Sequence, residues 1–508
     1  MKKFVIVGGG LAGVIAATQI RSFYGYNVEI ILVYDHKTPS IGVGESLTPN
    51  FNNYLKTVGI AKEELIKNLN ATVKVGLKFK NWLNDGNYFF HNFESYTNQD
   101  PFNLIAAHEM VHNDYNDDFC YSDFFMKNGL VPEPYVPDQN LSAQMQQMQQ
   151  SFAAPSTIHI DASITGDYFL NKFKIPQKIK VIDDIVKDVV KKGENIESII
   201  LNKNGKLQGD FYIDASGFAS VLFKHMGAEW VDKTDWLPLD RCIPFPLLTK
   251  FNKTLPPYTT SEATDNGWIL QVPLQHRWGL GYLYCSKFTS DDEAFNKFNI
   301  WVKKNHKTTV NTDKILKFKS GYWKDQWVGN CLAIGLASGF TEPLEATNIH
   351  QTITQTHFLF NRYNFSKDCN FERKQYNELM ENTFKNIYLY LRFCYTGGRK
   401  DSKFWKYMSN SVPQPVKDIE NKLKYGILNS LELSHREVAN FFNYVNFTRI
   451  AWGLKKPDKK IIKQIMMDRN YLAPAYNLKV KYLESYNMMK NKSVDHLEYI
   501  NKVKAGIL

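Results

Sequence analysis

Short apolar runs punctuated by glycine turns fill the first two thirds of this chain, and longer stretches of helical spacing fill the last third. Phe4-Val5-Ile6-Val7 is a run of strand formers. It meets Gly8-Gly9-Gly10-Leu11-Ala12-Gly13, after which small and apolar residues (Leu11, Val14, Ile15, Ala17) predict a helix, and Val28 to Val33 a second strand. Thr72 to Trp82 alternates strictly: Val73, Val75, Leu77 and Phe79 fall on one side, Lys74, Gly76, Lys78 and Lys80 on the other. The period of two predicts a strand with one face in solvent. Tyr88 to Phe93 then clusters aromatics around His91, as core or as the wall of a pocket.

Thr97 to Pro155 reads as loop, an insertion or lid. Ile158 to Ala162 opens a helix carrying Tyr168, Phe169 and Phe173; Val181 to Val190 and Ile196 to Leu201 read as a strand meander. Asp210 to Gly217 is a strand ending in the turn Asp214-Ala215-Ser216-Gly217, the kind of turn by which an FAD fold rejoins its nucleotide domain. Gly267 to Leu274 and Gly279 to Tyr284 are strands of a second sheet. Leu332 to Asn348, which includes Gly335 and Phe340, is strand, glycine turn and helix start. From about Phe371 onward, Tyr376, Leu379, Met380, Phe384, Ile387, Tyr388 and Leu391 recur at helical spacing, and no internal repeat is found.

Gly8, Gly10 and Gly13 have the GxGxxG spacing between a strand and a helix. The first glycine allows the tight turn, the second the approach of backbone N–H groups to a pyrophosphate, the third close helix–strand packing. Phosphates then lie at a helix N-terminus, where unpaired donors and the dipole favour anions. Asp35, after the second strand, is the candidate acceptor for ribose hydroxyls, with Tyr34 nearer the usual position. A second glycine-rich loop, with Gly42, Val43, Gly44 and Glu45, is placed to lie along a long cofactor; an ordinary loop before a helix is the alternative.

Composition narrows this only a little. Met1-Lys2-Lys3 and the apolar stretch after it could pass for a signal peptide, but that stretch contains the glycine turn and runs on into a second strand. No apolar run approaches the ~18 residues of a membrane span, so a soluble cytoplasmic protein is expected. With 508 residues the chain can build two or three domain-sized cores. Its six cysteines form no CxxC pair, which argues against a disulfide framework or a zinc site. The formal charge of +11 comes without a basic block, so it implies an anion-tolerant surface and no nucleic-acid or membrane partner, and leaves self-association open.

Taken together and in order, these segments resemble the flavin-dependent halogenases of the tryptophan-halogenase type. The resemblance runs from Phe4 to about Trp405 through the Gly8–Gly13 loop, Ile41–Pro49, Lys74, the Asp214–Gly217 turn, Gly267–Tyr284, Gly339–Thr347 and Arg399–Trp405. It implies an α/β fold: a Rossmann-like FAD domain of the flavin monooxygenase kind, a sheet-containing substrate region and a mostly helical C-terminal region. It implies FADH2 from a separate NAD(P)H-dependent flavin reductase, O2 and a halide, with hypohalous acid passed to a lysine that delivers electrophilic halogen to an aromatic ring. Lys74 takes that role by resemblance, Glu345 orients the oxidant or stabilises the cationic ring, and the backbone N–H groups of Thr347 and Asn348 hold the halide. Glu345 read alone is an acid at a helix start. His91, Phe93 and Trp268 are pocket candidates for a flat substrate.

The implied boundaries are 1–96, 156–225 and 326–365 for three FAD-binding parts, 97–155 for the insertion, 226–325 for the substrate sheet and 366–508 for the helical region. The chain departs from the family at Leu270, where a second Trp is usual, at Ala346, usually Ser, and at Asn348, usually Gly. Asn443 to Trp452 does not reproduce the clamp for tryptophan's amino and carboxyl groups. These departures point to an indole- or phenol-like arene and to bromide or iodide over chloride. They leave an aromatic flavin monooxygenase and a non-catalytic flavoprotein as the competing readings.

Overall fold

The structure is a computed structural model that describes residues 1–38, 44–93, 121–133, 155–361, 363, 369–425, 428, 441–456, 458–470, 472–477 and 490–508. The chain divides into two compact units, each assembled from three segments. The first takes Met1–Leu69, Ile160–Cys242 and Lys314–Tyr388; the second takes Asn70–His159, Ile243–Asp313 and Leu389–Leu508. These boundaries depart from the expected ones: residues 70–96 group with the second unit, and 226–242, 314–325 and 366–388 with the first.

The first unit is built on a six-stranded sheet in the order Trp327–Val328, Cys331–Ala333, Phe211–Asp214, Lys2–Val7, Val28–Tyr34, Ile179–Asp183. All neighbours except the first pair are parallel. Parallel strands are covered on both faces, which is why Phe4 to Val7 is apolar without alternation and wholly buried. The Leu11–Tyr24 helix crosses over between the first two strands and packs against the helices Thr347–Phe360 and Ala162–Phe173.

Two sequence expectations are corrected here. The run from Val181 is not one meander: Ile179–Asp183 closes the parallel sheet, while Val186–Lys192, Asn195–Leu201 and Gly205–Leu207 form a separate antiparallel sheet. The helix expected from Ile158 starts later. Thr157–Ile160 is strand, and Asp161 caps the helix by accepting the Ser163 N–H.

In the second unit, five strands run Arg277–Tyr284, Gly267–Leu274, Tyr258–Thr264, Gly76–Lys80, Tyr88–Asn92. Gly76–Lys80 lies parallel to Tyr258–Thr264 and antiparallel to Tyr88–Asn92. The strand predicted over Thr72 to Trp82 is two strands. Thr72–Lys74 pairs antiparallel with Thr157–His159, and at Val75, whose N–H donates to Pro257 O at 2.7 Å, the chain passes into the larger sheet. Neither side faces solvent at its start: Thr72, Val73, Lys74, Val75 and Gly76 are all buried. A Cβ on Gly76 would meet His91 O at 2.7 Å, so the small residue in the alternation is set by the neighbouring strand.

Most of the stretch expected to be loop, Thr97 to Pro155, lies outside the described residues. Within it Tyr121–Asn128 is helix and Leu130–Pro132 is strand, paired with Ser493–Asp495. The C-terminal third is helical as expected, in Asn370–Cys394, Lys403–Asn410, Gln414–Tyr425, Tyr444–Gly453, Lys459–Ile465 and His496–Lys504. No helix among the described residues is long and apolar enough to cross a membrane.

Candidate active site

The glycine turn is shaped by close approach. Gly8 has φ +124°, and a Cβ there would come 2.2 Å from Ala215 O. A Cβ on Gly13 would come 1.9 Å from Gly8 O, and one on Gly9 would enter the Tyr34 ring. The helix that follows starts at Leu11 behind Gly10, with no side-chain cap and no acid in its first turn. Its first N–H groups therefore face no competing carboxylate from that turn, which fits the pyrophosphate of a dinucleotide. Ala12 and Gly335 close on each other: a Cβ at Gly335, which has φ +57°, would lie 3.3 Å from Ala12 Cβ.

Asp35 and Asp214 are both used by their own turns. The Asp35 carboxylate accepts the Lys37 N–H and the Thr38 hydroxyl at 3.1 and 2.9 Å. Asp214 is wholly buried and accepts four bonds, from Ser216 N and Oγ and from the Leu222 and Phe223 N–H groups, at 2.5 to 3.0 Å. Burial raises its pKa, against the opposing pull of those donors. It fixes the turn against which Gly8 packs. Gly42 and Val43 lie outside the described residues. Beyond them Gly44 is buried, and burial pushes the Glu45 carboxyl up to about 7. Phe340 is buried between the Phe318 and Phe218 rings, at 4.7 and 5.2 Å, and its carbonyl accepts the Tyr388 hydroxyl at 2.6 Å.

Pro343–Glu345 forms a single 3-10 turn, then Ala346 adopts the left-handed conformation (φ +58°), and Thr347 begins a 14-residue helix. Glu345 and Thr347 are buried. The Thr347 hydroxyl is 2.8 Å from that of Thr341. Asn348 is half-buried at the second helical position, and the helix start has no side-chain cap. Its first amide donors have no acceptor within the helix, as anion binding requires. His350, one turn on, lies 3.1 Å from the Thr48 hydroxyl, and burial pushes its imidazole down to about 3. It is neutral at ordinary pH, so attraction for an anion falls to the backbone donors and the helix dipole.

In the second unit, Lys74 is wholly buried with its ammonium 4.9 Å from the centroid of the Phe93 ring. His91, on the Tyr88–Asn92 strand, is buried with Tyr390 Oη at 3.3 Å and Asn446 Nδ2 at 3.2 Å from its ring nitrogens. Tyr390 stacks on Phe442 at 3.8 Å and meets Phe447 edge-on. Trp268 is wholly buried and donates its indole N–H to Tyr395 Oη at 2.9 Å. Its indole thereby fixes the Tyr395 hydroxyl.

Sequence reading missed the polar cluster beside Lys74. His159 bridges the hydroxyls of Thr72 and Thr259 at 2.9 and 3.0 Å, and His496 Nε2 accepts the Val73 N–H at 2.9 Å. These histidines are 87 and 423 positions from their partners, so no local spacing could have signalled them. Tyr390, Phe442 and Asn446 were missed for the same reason.

The sequence profile of the tryptophan halogenase family matches residues 3–466. Tryptophan 6-halogenase of Streptomyces toxytricini is 28% identical over 426 residues, covering 80% of each chain. Tryptophan 7-halogenase of Lentzea aerocolonigenes is 27% identical over 426 residues, covering 80% of this chain and 78% of its own. The crystal structure of the Streptomyces toxytricini enzyme superposes with a TM-score of 0.86 over 98% of this chain and 99% of that one, at 23% identity. With the fold, the glycine turn and the uncapped helix start in place, the match over most of the chain settles the family: this protein belongs to the tryptophan halogenases, the flavin-dependent halogenating enzymes.

Proposed function

We propose that this protein halogenates an electron-rich arene of the indole or phenol type, with Lys74 delivering the halogen. The observation that carries the reading is Lys74 itself. A wholly buried ammonium lies against an aromatic ring at the position where the resemblance puts the delivering lysine. The first unit's glycine turn fits FAD, held at Gly8, Gly10, Gly13 and the start of the Leu11 helix, with the Gly44–Glu45 loop, Gly335 and Phe340 assigned to the same cofactor. Reduced FAD with O2 supplies the oxidising power that turns halide and a proton into hypohalous acid and water. A separate NAD(P)H-dependent flavin reductase supplies the FADH2.

Thr347 and Asn348 offer the halide backbone donors at a helix start without a side-chain cap. An ammonium N–H from Lys74 bonds the oxygen of the hypohalous acid and draws electrons from the O–X bond. The ring carbon then takes the halogen and the oxygen leaves as water. The ring proton goes to a base, and Glu345 is the carboxylate assigned to orient the oxidant and balance the cationic ring. His91, with Tyr390 and Phe442, supplies flat surface for the arene. Tryptophan is the natural first substrate to test, since both relatives above are named for it.

Ala346 caps the halide helix without a hydroxyl, and Asn348 places a side chain where glycine is usual. Chloride is costlier to strip of water than bromide or iodide, so fewer donors favour the larger ions. Bromide, then iodide, is the assigned preference. One protein of similar structure is named as a chlorinase, and a competition assay decides between chloride and the larger halides. The deciding experiment mixes the protein with FAD, a flavin reductase, NADH and each halide over a panel of indoles and phenols. Halide-dependent mass shifts that vanish in Lys74→Ala support the reading, and hydroxylated product would favour the monooxygenase.

A further inference from the structure

The strand that ends in Lys74 is held from below by two chains of hydrogen bonds whose proton order can be worked out. The Thr72 hydroxyl donates to Pro273 O at 2.6 Å, an oxygen that can only accept. Having one hydrogen, Thr72 must then accept from His159 Nδ1 at 2.9 Å. His159 Nε2 lies 3.0 Å from the Thr259 hydroxyl, and burial, which disfavours a second proton on the ring, leaves that nitrogen to accept. Likewise the Val73 N–H can only donate, so His496 Nε2 accepts it, and His496 Nδ1–H donates to Leu255 O at 2.9 Å.

Both imidazoles are therefore neutral single tautomers, and all five groups, Thr72, Val73, His159, Thr259 and His496, are buried. Burial pushes His496 down to about 4 and also lowers His159 well below its ordinary value, with the Lys74 charge adding to the shift on His159. A neutral histidine beside the strand adds no positive charge to the ammonium and still fixes the backbone on which it is carried.

We propose that His496, through the Val73 amide, and His159, through Thr72, are positioning residues that fix Lys74 for halogen transfer, so that the C-terminal helix His496–Lys504 is part of the transfer apparatus. The Thr72–Lys74 strand is only three residues long and its chain changes sheets at Val75. Sheet pairing alone gives so short a segment little rigidity, and the side-chain bonds at Thr72 and Val73 supply the rest. This inference rests on the delivery role of Lys74 argued above.

The test compares His496→Phe, which keeps a flat ring but cannot accept the Val73 N–H, with His496→Gln, whose amide offers both an acceptor and a donor. Two quantities are read with FAD, reductase and halide present: halogenated arene, and hypohalous acid trapped by a 1,3-dione when no arene is added. In His496→Phe the arene product should fall at least ~10-fold at unchanged trapped oxidant, since misplacement by about 1 Å can cost on the order of 100-fold. His496→Gln should recover most of the product. Thr72→Val, which removes the His159 acceptor at nearly constant volume, should uncouple in the same way and serves if the first variant does not fold.

Wild-type product from a folded His496→Phe or Thr72→Val protein overturns the proposal. So does failure of both to fold, which would make the cluster a folding element alone. Lys74→Ala, run alongside, separates the two levels. If it retains wild-type product the delivery role fails, and if it is inactive while the positioning variants are unaffected only the present inference fails.

Discussion

Gly13 lies so close to the Gly8 carbonyl that a Cβ on it would be 1.9 Å from that oxygen. The contact is backbone to backbone, so no side chain can swing aside to relieve it. Gly13→Ala must shift the Leu11–Tyr24 helix away from the turn. We expect a loss of ~1–3 kcal/mol in stability, as for overpacking elsewhere, and FAD binding weakened in proportion to the displaced donors. Thermal melting and a flavin fluorescence titration check both. Wild-type affinity in the variant would mean that the turn does not hold the pyrophosphate.

Lys74 and Glu345 belong to different compact units, and their variants should fail in different ways. Lys74→Ala should abolish arene halogenation while FAD still binds, because the flavin residues all lie in the other unit. Glu345→Gln should retain weak activity: an amide still accepts a hydrogen bond but carries no charge for a developing cation, a loss on the order of 10²–10³ in rate. Product assays with equal flavin loading decide the matter. Near-normal regiospecific product from Lys74→Ala would remove the lysine from the mechanism.

Glu45 should make the stability of the cofactor-free protein fall as pH rises. Its carboxyl ordinarily titrates at 4.5 and is pushed up to about 7 in the fold, so between these values the native state holds a proton that the unfolded chain has released. The proton-linked contribution is complete below the lower value and is lost as pH rises through the upper one. Glu45→Gln should flatten this decline in urea melts taken between the two. An unaltered slope would place the cause elsewhere.

Halides competed at equal concentration on one accepted arene should give mainly brominated product. Ala346→Ser, which restores a hydroxyl at the helix cap, should raise the chlorinated share. Mass spectrometry counts both. Chiefly chlorinated product from the unaltered protein would overturn the assigned preference.

The purified protein alone should oxidise NADH negligibly, because its GxGxxG turn is assigned to FAD. Turnover should begin on adding a flavin reductase. Robust NADH consumption by this chain alone would show that it carries its own reductase function.

The first two parallel strands, the glycine turn and the C-terminal helices were legible from the residues alone. Each is a local matter: Phe4 to Val7 is apolar throughout because both faces are covered, and Gly8, Gly10 and Gly13 answer to spacing within one turn. The surroundings of Lys74 were not. Alternation from Val73 to Lys80 reports the pleat of a strand but not what lies on either side of it. Only the tertiary fold decides that Lys74 is buried, that the strand breaks at Val75, and that His159 and His496 arrive from distant segments to hold it. Trp268 shows the same limit, for its partner Tyr395 is 127 positions away and no local pattern points to it. Periodicity is written by nearest neighbours along the chain, whereas a site is made by neighbours in space, and buried polar partners must be found wherever the fold brings them.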